Sequence, residues 1–503
     1  MEEKSTNDSH KNILKSTGVF GLVQLFKMLI GVVGTKFVAV FLGPIGMGTV
    51  GLLNNMIAII SSLTSFGTNV TLTREVSLAN ADENKDKLPE RLNFLQKWSF
   101  LVGLVGAVIT LVLSPILSKL TFGSTKYYYW FIIISINFVF LSLTTYRIAI
   151  LQGLLKIKQL ALSSLVSSLF ITIVTIPIYY YYRFDGILPV VLLSGIIGFL
   201  VNWYYTRNIK ITKVKHSLLE SYKQGKSLLE LGFLLSINVI FGQICAYLIK
   251  LYLNHNGANT SVLGFYEVSN IILVSYVGMI FTAMGTDFYP RLTAIHNDNN
   301  KVNQFVNDQI EVGLLLVSPL IILFYFLSPI LISILYTKDF LSVLLILKAA
   351  LFAIIIKAII WPLAFIILAK GEKKLYFKQE LLGDFLNIFS SILFYHYFGL
   401  EGIGLAMVLN YSIYGIYVYR ILNKRFEFKI RKDTLRIILI SFILGLAALG
   451  IVFFVDYPDA YLPLGIVLLF SVLISLYELN KRVSIAAYYL KLKQKITNQN
   501  KNG

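Results

Sequence analysis

Residues 27–55 read KMLIGVVGTKFVAVFLGPIGMGTVGLLNN. The first half continues an apolar run that begins at Val19 and is long enough to cross a bilayer as a helix. The second half opens another such run, and only Gly43, Pro44, Gly46 and Gly48 interrupt the two. That cluster of glycine and proline predicts a tight hairpin at a membrane surface. Lys27 and Lys36 lie inside the first helix, where a charge near the bilayer centre costs about 2.5–3.5 kcal/mol on insertion scales. Lysines retained at that cost are expected to face protein or water rather than lipid.

Outward from this hairpin the chain keeps the same character. Of its 503 residues 56% are apolar and only 14% charged, with a mean hydropathy of +0.72. This composition belongs to an all-α polytopic membrane protein, because a helix satisfies its own backbone hydrogen bonds in lipid. The net charge of +19 does not imply a nucleic-acid partner, since the basic residues follow topology instead of clustering with aromatics on a soluble face. Cys245 is the single cysteine, which excludes a disulfide framework and a thiolate metal site. The five histidines are scattered through tails, loops and helix ends, and no HExxH, Walker A or GxSxG sequence occurs. No catalytic residue, metal or other cofactor is expected. The first eighteen residues are polar and show no signal-peptide order, so the first span is expected to act as its own insertion signal.

Windows of about 20 apolar residues predict fourteen spans, from Val19–Phe41 and Met47–Phe66 to Leu435–Val455 and Tyr461–Leu479. Alternating sides then leave only Lys119, Lys126, Arg183 and Lys338 of the 45 lysines and arginines on one face, apart from the few inside spans. By the positive-inside rule both termini are cytoplasmic. An internal repeat is visible: LQGLLKIKQLAL (Leu151–Leu162) after the fourth span resembles LAKGEKKLYFKQ (Leu368–Gln379) after the tenth. FDGILPVVLLSG (Phe184–Gly195) likewise resembles GLEGIGLAMVLN (Gly399–Asn410) at nearly the same offset. Both copies of the first pair join an even helix to an odd one, so the halves share one orientation and imply a pseudo-twofold axis along the membrane normal. The expected order is a tail (1–18), a six-helix bundle (19–206), a basic linker (207–230), a second six-helix bundle (231–421), two extra helices (435–479) and a basic tail (480–503).

The groups expected to carry function are intramembrane charges. Lys27 falls roughly 4 to 5 Å to the cytoplasmic side of its span's midpoint and Lys36 roughly 9 Å to the outer side, and Lys357 and Lys348 repeat these depths in span ten. Within each pair the nine-residue spacing is half a turn out of phase, so one helix directs only one of the two into a given cavity. A cationic, water-filled cavity suits phosphate or pyrophosphate, because an ammonium acts there as a strong point charge. Glu267 in span eight lies at a depth similar to Lys36 and to Lys250, and is a candidate partner of either, as a hairpin pair or as a gate. Asp287, Glu380 and Asp384 sit near cytoplasmic helix ends, and Asp384 is a candidate for ion coupling.

Three stretches resemble a known family: TKFVAVFLGPIGMGTVGLL (Thr35–Leu53), GTDFYPRL (Gly285–Leu292) and LAKGEKK (Leu368–Lys374). They are similar to the O-antigen translocase branch of the multidrug, oligosaccharidyl-lipid and polysaccharide exporter (MOP) superfamily. The resemblance implies a MATE-like V of two six-helix bundles in the bacterial inner membrane. It also implies a flippase for an undecaprenyl-pyrophosphate-linked glycan, with a basic cavity for the pyrophosphate and helices one and eight at the lateral opening. A polysaccharide polymerase and a chain-length regulator are the partners it implies, beside membrane lipid. Family cavities are rich in arginine, whereas these spans rely on lysine. A cation-coupled drug exporter of the same superfamily would favour a buried carboxylate over several lysines. A membrane-embedded glycan polymerase would be expected to carry a substantial outward loop, and none is read here.

Overall fold

The computed structural model describes residues 2–65, 68–81, 87–211, 218–257 and 261–483. Part of the expected linker (212–217) and most of the expected tail (484–503) lie outside the described residues. All regular structure among the described residues is helical. The first eight α-helices are α1 (Glu2–Ser65), α2 (Thr68–Ala81), α3 (Lys87–Val112), α4 (Ser114–Phe122), α5 (Tyr128–Ser135), α6 (Asn137–Gly153), α7 (Ile157–Tyr182) and α8 (Ile187–Thr206). The next eight are α9 (Leu218–Asn256), α10 (Val262–Asn270), α11 (Met279–Ala294), α12 (Asn299–Leu335), α13 (Val343–Ala369), α14 (Lys373–Phe426), α15 (Lys432–Phe454) and α16 (Tyr461–Val483).

Eleven helical stretches among the described residues are long and apolar enough to cross a membrane. The count differs from the fourteen expected spans because three stretches, of 40, 50 and 54 residues, run on across a break. In α1 the break is Gly43, at φ 62° and ψ −169°, a conformation that a side chain disfavours. Pro44 follows, in the first turn of the next helical arm, where a missing amide proton is no loss. Between α7 and α8 the break is a 3₁₀ turn, Arg183–Gly186, and in α14 it is Gly399, at φ 57°.

Two compact units make up the chain: residues 1–264 with 335–339, and residues 265–334 with 340–503. In the first, α1 packs on α7 and α9, and α6 packs on α3 and α8. Leu72, Leu92, Leu95, Trp98, Tyr146 and Ile150 form a buried cluster among α2, α3 and α6. The hairpin glycines have a packing role here. A Cβ on Gly264 would fall 1.9 Å from the Pro44 carbonyl oxygen, and one on Gly48 would fall 2.9 Å from the Gly264 amide nitrogen. Backbone therefore meets backbone where α10 begins, which only glycine permits. In the second unit α13 is the centre: it packs on α14 and α15, and nearly every residue from Val343 to Ile356 is buried.

The sequence repeat is reproduced in the hydrogen bonds of two turns. After α6, the amides of Leu154, Leu155, Lys156 and Ile157 donate to the carbonyls of Ile150, Gln152, Leu151 and Leu155. After α13, Lys370, Gly371, Glu372 and Lys373 donate to Ile366, Leu368, Ile367 and Gly371, the same pattern residue for residue. Both turns need one left-handed residue: Gly371 at φ 72° and Leu155 at φ 54°. A leucine in that conformation costs about 1–2 kcal/mol that glycine does not.

The two C-terminal helices are tied on through buried carboxylates. Glu311 on α12, only 3% exposed, accepts from Arg431 Nη2 at 3.0 Å and from Thr434 Oγ1 at 2.6 Å. Asn307 one turn earlier donates to the Lys429 carbonyl at 3.0 Å and accepts from the Arg431 amide at 3.0 Å. Glu478 on α16 accepts from Arg436 of α15 at 3.0 Å.

Two stability outcomes are expected from thermal unfolding in detergent. Leu155→Gly raises the midpoint and Gly371→Leu lowers it, each by an amount matching about 1 kcal/mol; equal effects of both would refute the turn equivalence. Glu311→Ala costs about 2–3 kcal/mol by leaving a charged hydrogen bond and a buried hydroxyl unpaired. Asp308→Ala, on the exposed side of the same arginine, costs less than about 1 kcal/mol.

Candidate functional site

The side chains of α13 decide where the cavity lies. Lys357, Trp361, Phe365 and Leu368 follow one another at spacings of three to four residues and so share one helical face. Opposite them stand Tyr376 and Glu380 from the first arm of α14 and Tyr411 and Tyr414 from its second arm. Together with Ile360 and Ala364 these residues enclose a cavity of about 390 Å³ within the second unit.

Its wall is aromatic. Trp361 lies 5.8 Å from Phe281, 5.4 Å from Phe288 and 5.3 Å from Phe365, centroid to centroid. Lys357 Nζ is 5.5 Å from the Phe281 ring centre and 5.9 Å from that of Tyr411. These are cation–π distances, each of which stabilises an ammonium by roughly 0.5–2 kcal/mol, more as water is excluded. Among the described residues Lys357 makes no ion pair, and ring faces lie beside its charge.

The carboxylates stand apart from it. Tyr414 donates its hydroxyl to Glu380 Oε1 at 3.4 Å. Asp384 follows one turn on, half-buried on α14. Gln379, fully buried, donates through Nε2 to the Ala364 carbonyl at 3.5 Å, which sets the level of Glu380 against α13.

The other expected site residues lie elsewhere. Lys348, half a turn out of phase with Lys357, lines a different cavity of about 210 Å³ with Tyr325, Ser328 and Tyr457. Its Nζ is 3.7 Å from Glu401 and 5.4 Å from the Phe453 ring. Lys27 and Lys36 are both exposed on α1 in the first unit, Lys36 on a stripe with Phe26, Leu29, Val33 and Val40. Lys250 donates to the Gly51 carbonyl at 3.4 Å. Glu267 is half-buried on α10. Gly43, Pro44, Gly46 and Gly48 shape the α1 turn and its packing, as described above.

Several residues escaped the sequence reading. The aromatic wall was signalled only by Trp361 one turn from Lys357 and by tyrosines at 411, 414 and 417. Arg147, near the middle of α6, was missed as well. It is buried, and its Nη1 donates to Thr206 Oγ1 at 3.4 Å, at the negative C-terminal end of α8.

If the cavity admits water, Lys357→Cys in a Cys245→Ser background reacts with a small charged thiol reagent, while Ile354→Cys, fully buried on the same helix, does not. Equal protection of both positions would show the cavity to be closed.

A family model described as "Polysaccharide biosynthesis protein" matches residues 13–296. Among curated proteins there is no match. Among solved structures, the lipid II flippase MurJ in an inward closed conformation gives a TM-score of 0.70 at 18% identity, over 92% of this chain and 98% of that one. The inward-facing conformation of a multidrug resistance MATE family transporter of the MOP superfamily gives 0.63 at 15% identity, over 80% and 94%. A MOP superfamily transporter from Pyrococcus furiosus gives 0.57 at 13% identity, over 82% and 96%. Likeness at such identities speaks for the fold, and the family model covers more than half of the chain. This membrane-spanning protein therefore belongs to the polysaccharide biosynthesis protein family and has the fold of the MOP-superfamily transporters.

Proposed function

We propose that this protein is a flippase that moves an undecaprenyl-pyrophosphate-linked oligosaccharide, an O-antigen or similar repeat unit, across the bacterial inner membrane by alternating access. The observation that carries the reading is Lys357: an ammonium that makes no ion pair among the described residues, in an aromatic cavity of a chain from a polysaccharide biosynthesis family. In such a site a pyrophosphate supplies the missing negative charge, and the lysine offsets part of its desolvation. The polyprenyl tail stays in lipid throughout, so only the headgroup has to be accommodated by protein. With both termini cytoplasmic, as the lysine and arginine distribution favours, the headgroup enters from the cytoplasmic leaflet and is released outside. Of Lys27 and Lys36, both exposed on α1 of the first unit, helix phase allows one to serve in this reading as a further phosphate contact. Lys348, already paired with Glu401, contributes less. Glu267 and Lys250 remain gate candidates and Asp384 a coupling candidate. A polymerase and a chain-length regulator would act on the product after release.

A second reading, export of organic cations, is favoured by the half-buried carboxylate Glu380, which lines the aromatic cavity. The two readings part in proteoliposomes loaded with a fluorescent undecaprenyl-pyrophosphate oligosaccharide. Flipping by the wild type is expected, with Lys357→Ala slower by about tenfold or more, Lys357→Arg largely active, and Lys348→Ala near wild type. Transport of an organic cation together with no movement of the lipid-linked sugar would overturn the flippase reading in favour of the exporter.

A further inference from the structure

We infer that the cavity of the second unit selects glycans by charge: it accepts a pyrophosphate-linked sugar bearing hydroxyl or amino donors and disfavours one bearing a carboxylate. The inference rests on the flippase reading and adds to it the chemistry of the first sugars.

The cavity is bipolar along its length. The Gln379–Ala364 hydrogen bond places Glu380 beside Ala364, seven residues and so about 10 Å along α13 from Lys357. Between these two levels stands the ring of Trp361, and that of Phe365 stands at the Glu380 level. A phosphate held at Lys357 would leave the attached sugar lying over those rings, where the partly positive C–H face of a pyranose meets the negative face of the π system. The far edge of that sugar then reaches Glu380.

At that edge the cavity lining offers a carboxylate acceptor, and none of the described lining residues there is cationic. Glu380 receives the Tyr414 hydroxyl, yet among the described residues neither Glu380 nor Asp384 has a lysine or arginine in ion-pair contact. An ionised carboxylate only accepts hydrogen bonds, and its oxygens have room for several donors. Sugar hydroxyls, an N-acetyl amide or a free amine all supply donors. A uronic acid supplies instead a second negative charge, and two unit charges in a medium of effective dielectric near 20 still repel by over 1 kcal/mol at about 10 Å, enough for roughly tenfold discrimination.

The test compares two substrates of equal length on the same undecaprenyl pyrophosphate, one with a neutral hexose as its first sugar and one with the matching uronic acid. Wild-type protein in proteoliposomes is expected to flip the neutral substrate about tenfold faster. In Glu380→Gln/Asp384→Asn the acidic substrate gains and the ratio falls to about threefold or less. Equal wild-type rates for the two substrates, or a ratio unchanged in the variant, would overturn the charge selection and leave the flippase reading intact. Movement of neither substrate would overturn both. Should the double variant fail to fold, Asp384→Asn replaces it, and the wild-type ratio decides if that too is lost.

Discussion

A bilayer interior offers no partner to an unpaired peptide group, and most of this architecture follows from that constraint. It confines the breaks in long helices to Gly43, Arg183–Gly186 and Gly399, short turns that spend few residues outside helical geometry. It also explains the many hydroxyl residues inside apolar helices. Thr49, Thr64, Thr110, Thr144, Ser390 and Ser412 each donate to the carbonyl four residues back on their own helix. A serine or threonine that answers its own backbone in this way is nearly silent in lipid.

Charged side chains cannot be silenced so cheaply, and the fold treats them in two ways. Glu311 with Arg431, Glu478 with Arg436 and Lys348 with Glu401 are paired across helices, and Arg147 rests at a helix C-terminus. In these cases removing either partner strands the other, so they hold the assembly in register. Lys357 differs, since among the described residues it makes no ion pair and ring faces answer it. The contrast between charges neutralised by protein and a charge left to aromatic faces is what marks one cavity as a place for something the protein does not itself contain.

Much of this was legible in the sequence. Hydropathy windows, the segregation of basic residues and the glycine-proline cluster at 43–48 are each set by local chemistry. The all-helical membrane fold and the turn positions follow from them. The repeat was legible too, because Gly371 and Leu155 answer the same backbone demand. The site was legible only in part. Lys357 stands out as a charge in an apolar run, but its aromatic surroundings come from three helical arms that are distant in sequence. Nothing along the chain distinguishes Trp361 or Tyr414 from ordinary core residues until the arms are packed. Glu311 and Arg431 stayed hidden for the same reason, being 120 residues apart. The expectation that Lys348 and Lys357 diverge did follow from helix phase alone.

Between α10 and α11 the chain makes a π-helical turn, Ile271–Val277. A widened turn of this kind amounts to one residue more than a regular helix would use, and each residue advances a helix by about 100°. That extra residue sets the phase of everything downstream, including Phe281 and Phe288, which face Trp361. A sequence shorter by a single residue in this turn would keep its hydropathy, its length for crossing a membrane and its family resemblance. It would nonetheless present different side chains to the cavity. Relatives that differ by one insertion at this point would therefore differ in what they bind while sharing the same backbone plan, and a gap of one in an alignment here would carry more meaning than many substitutions elsewhere.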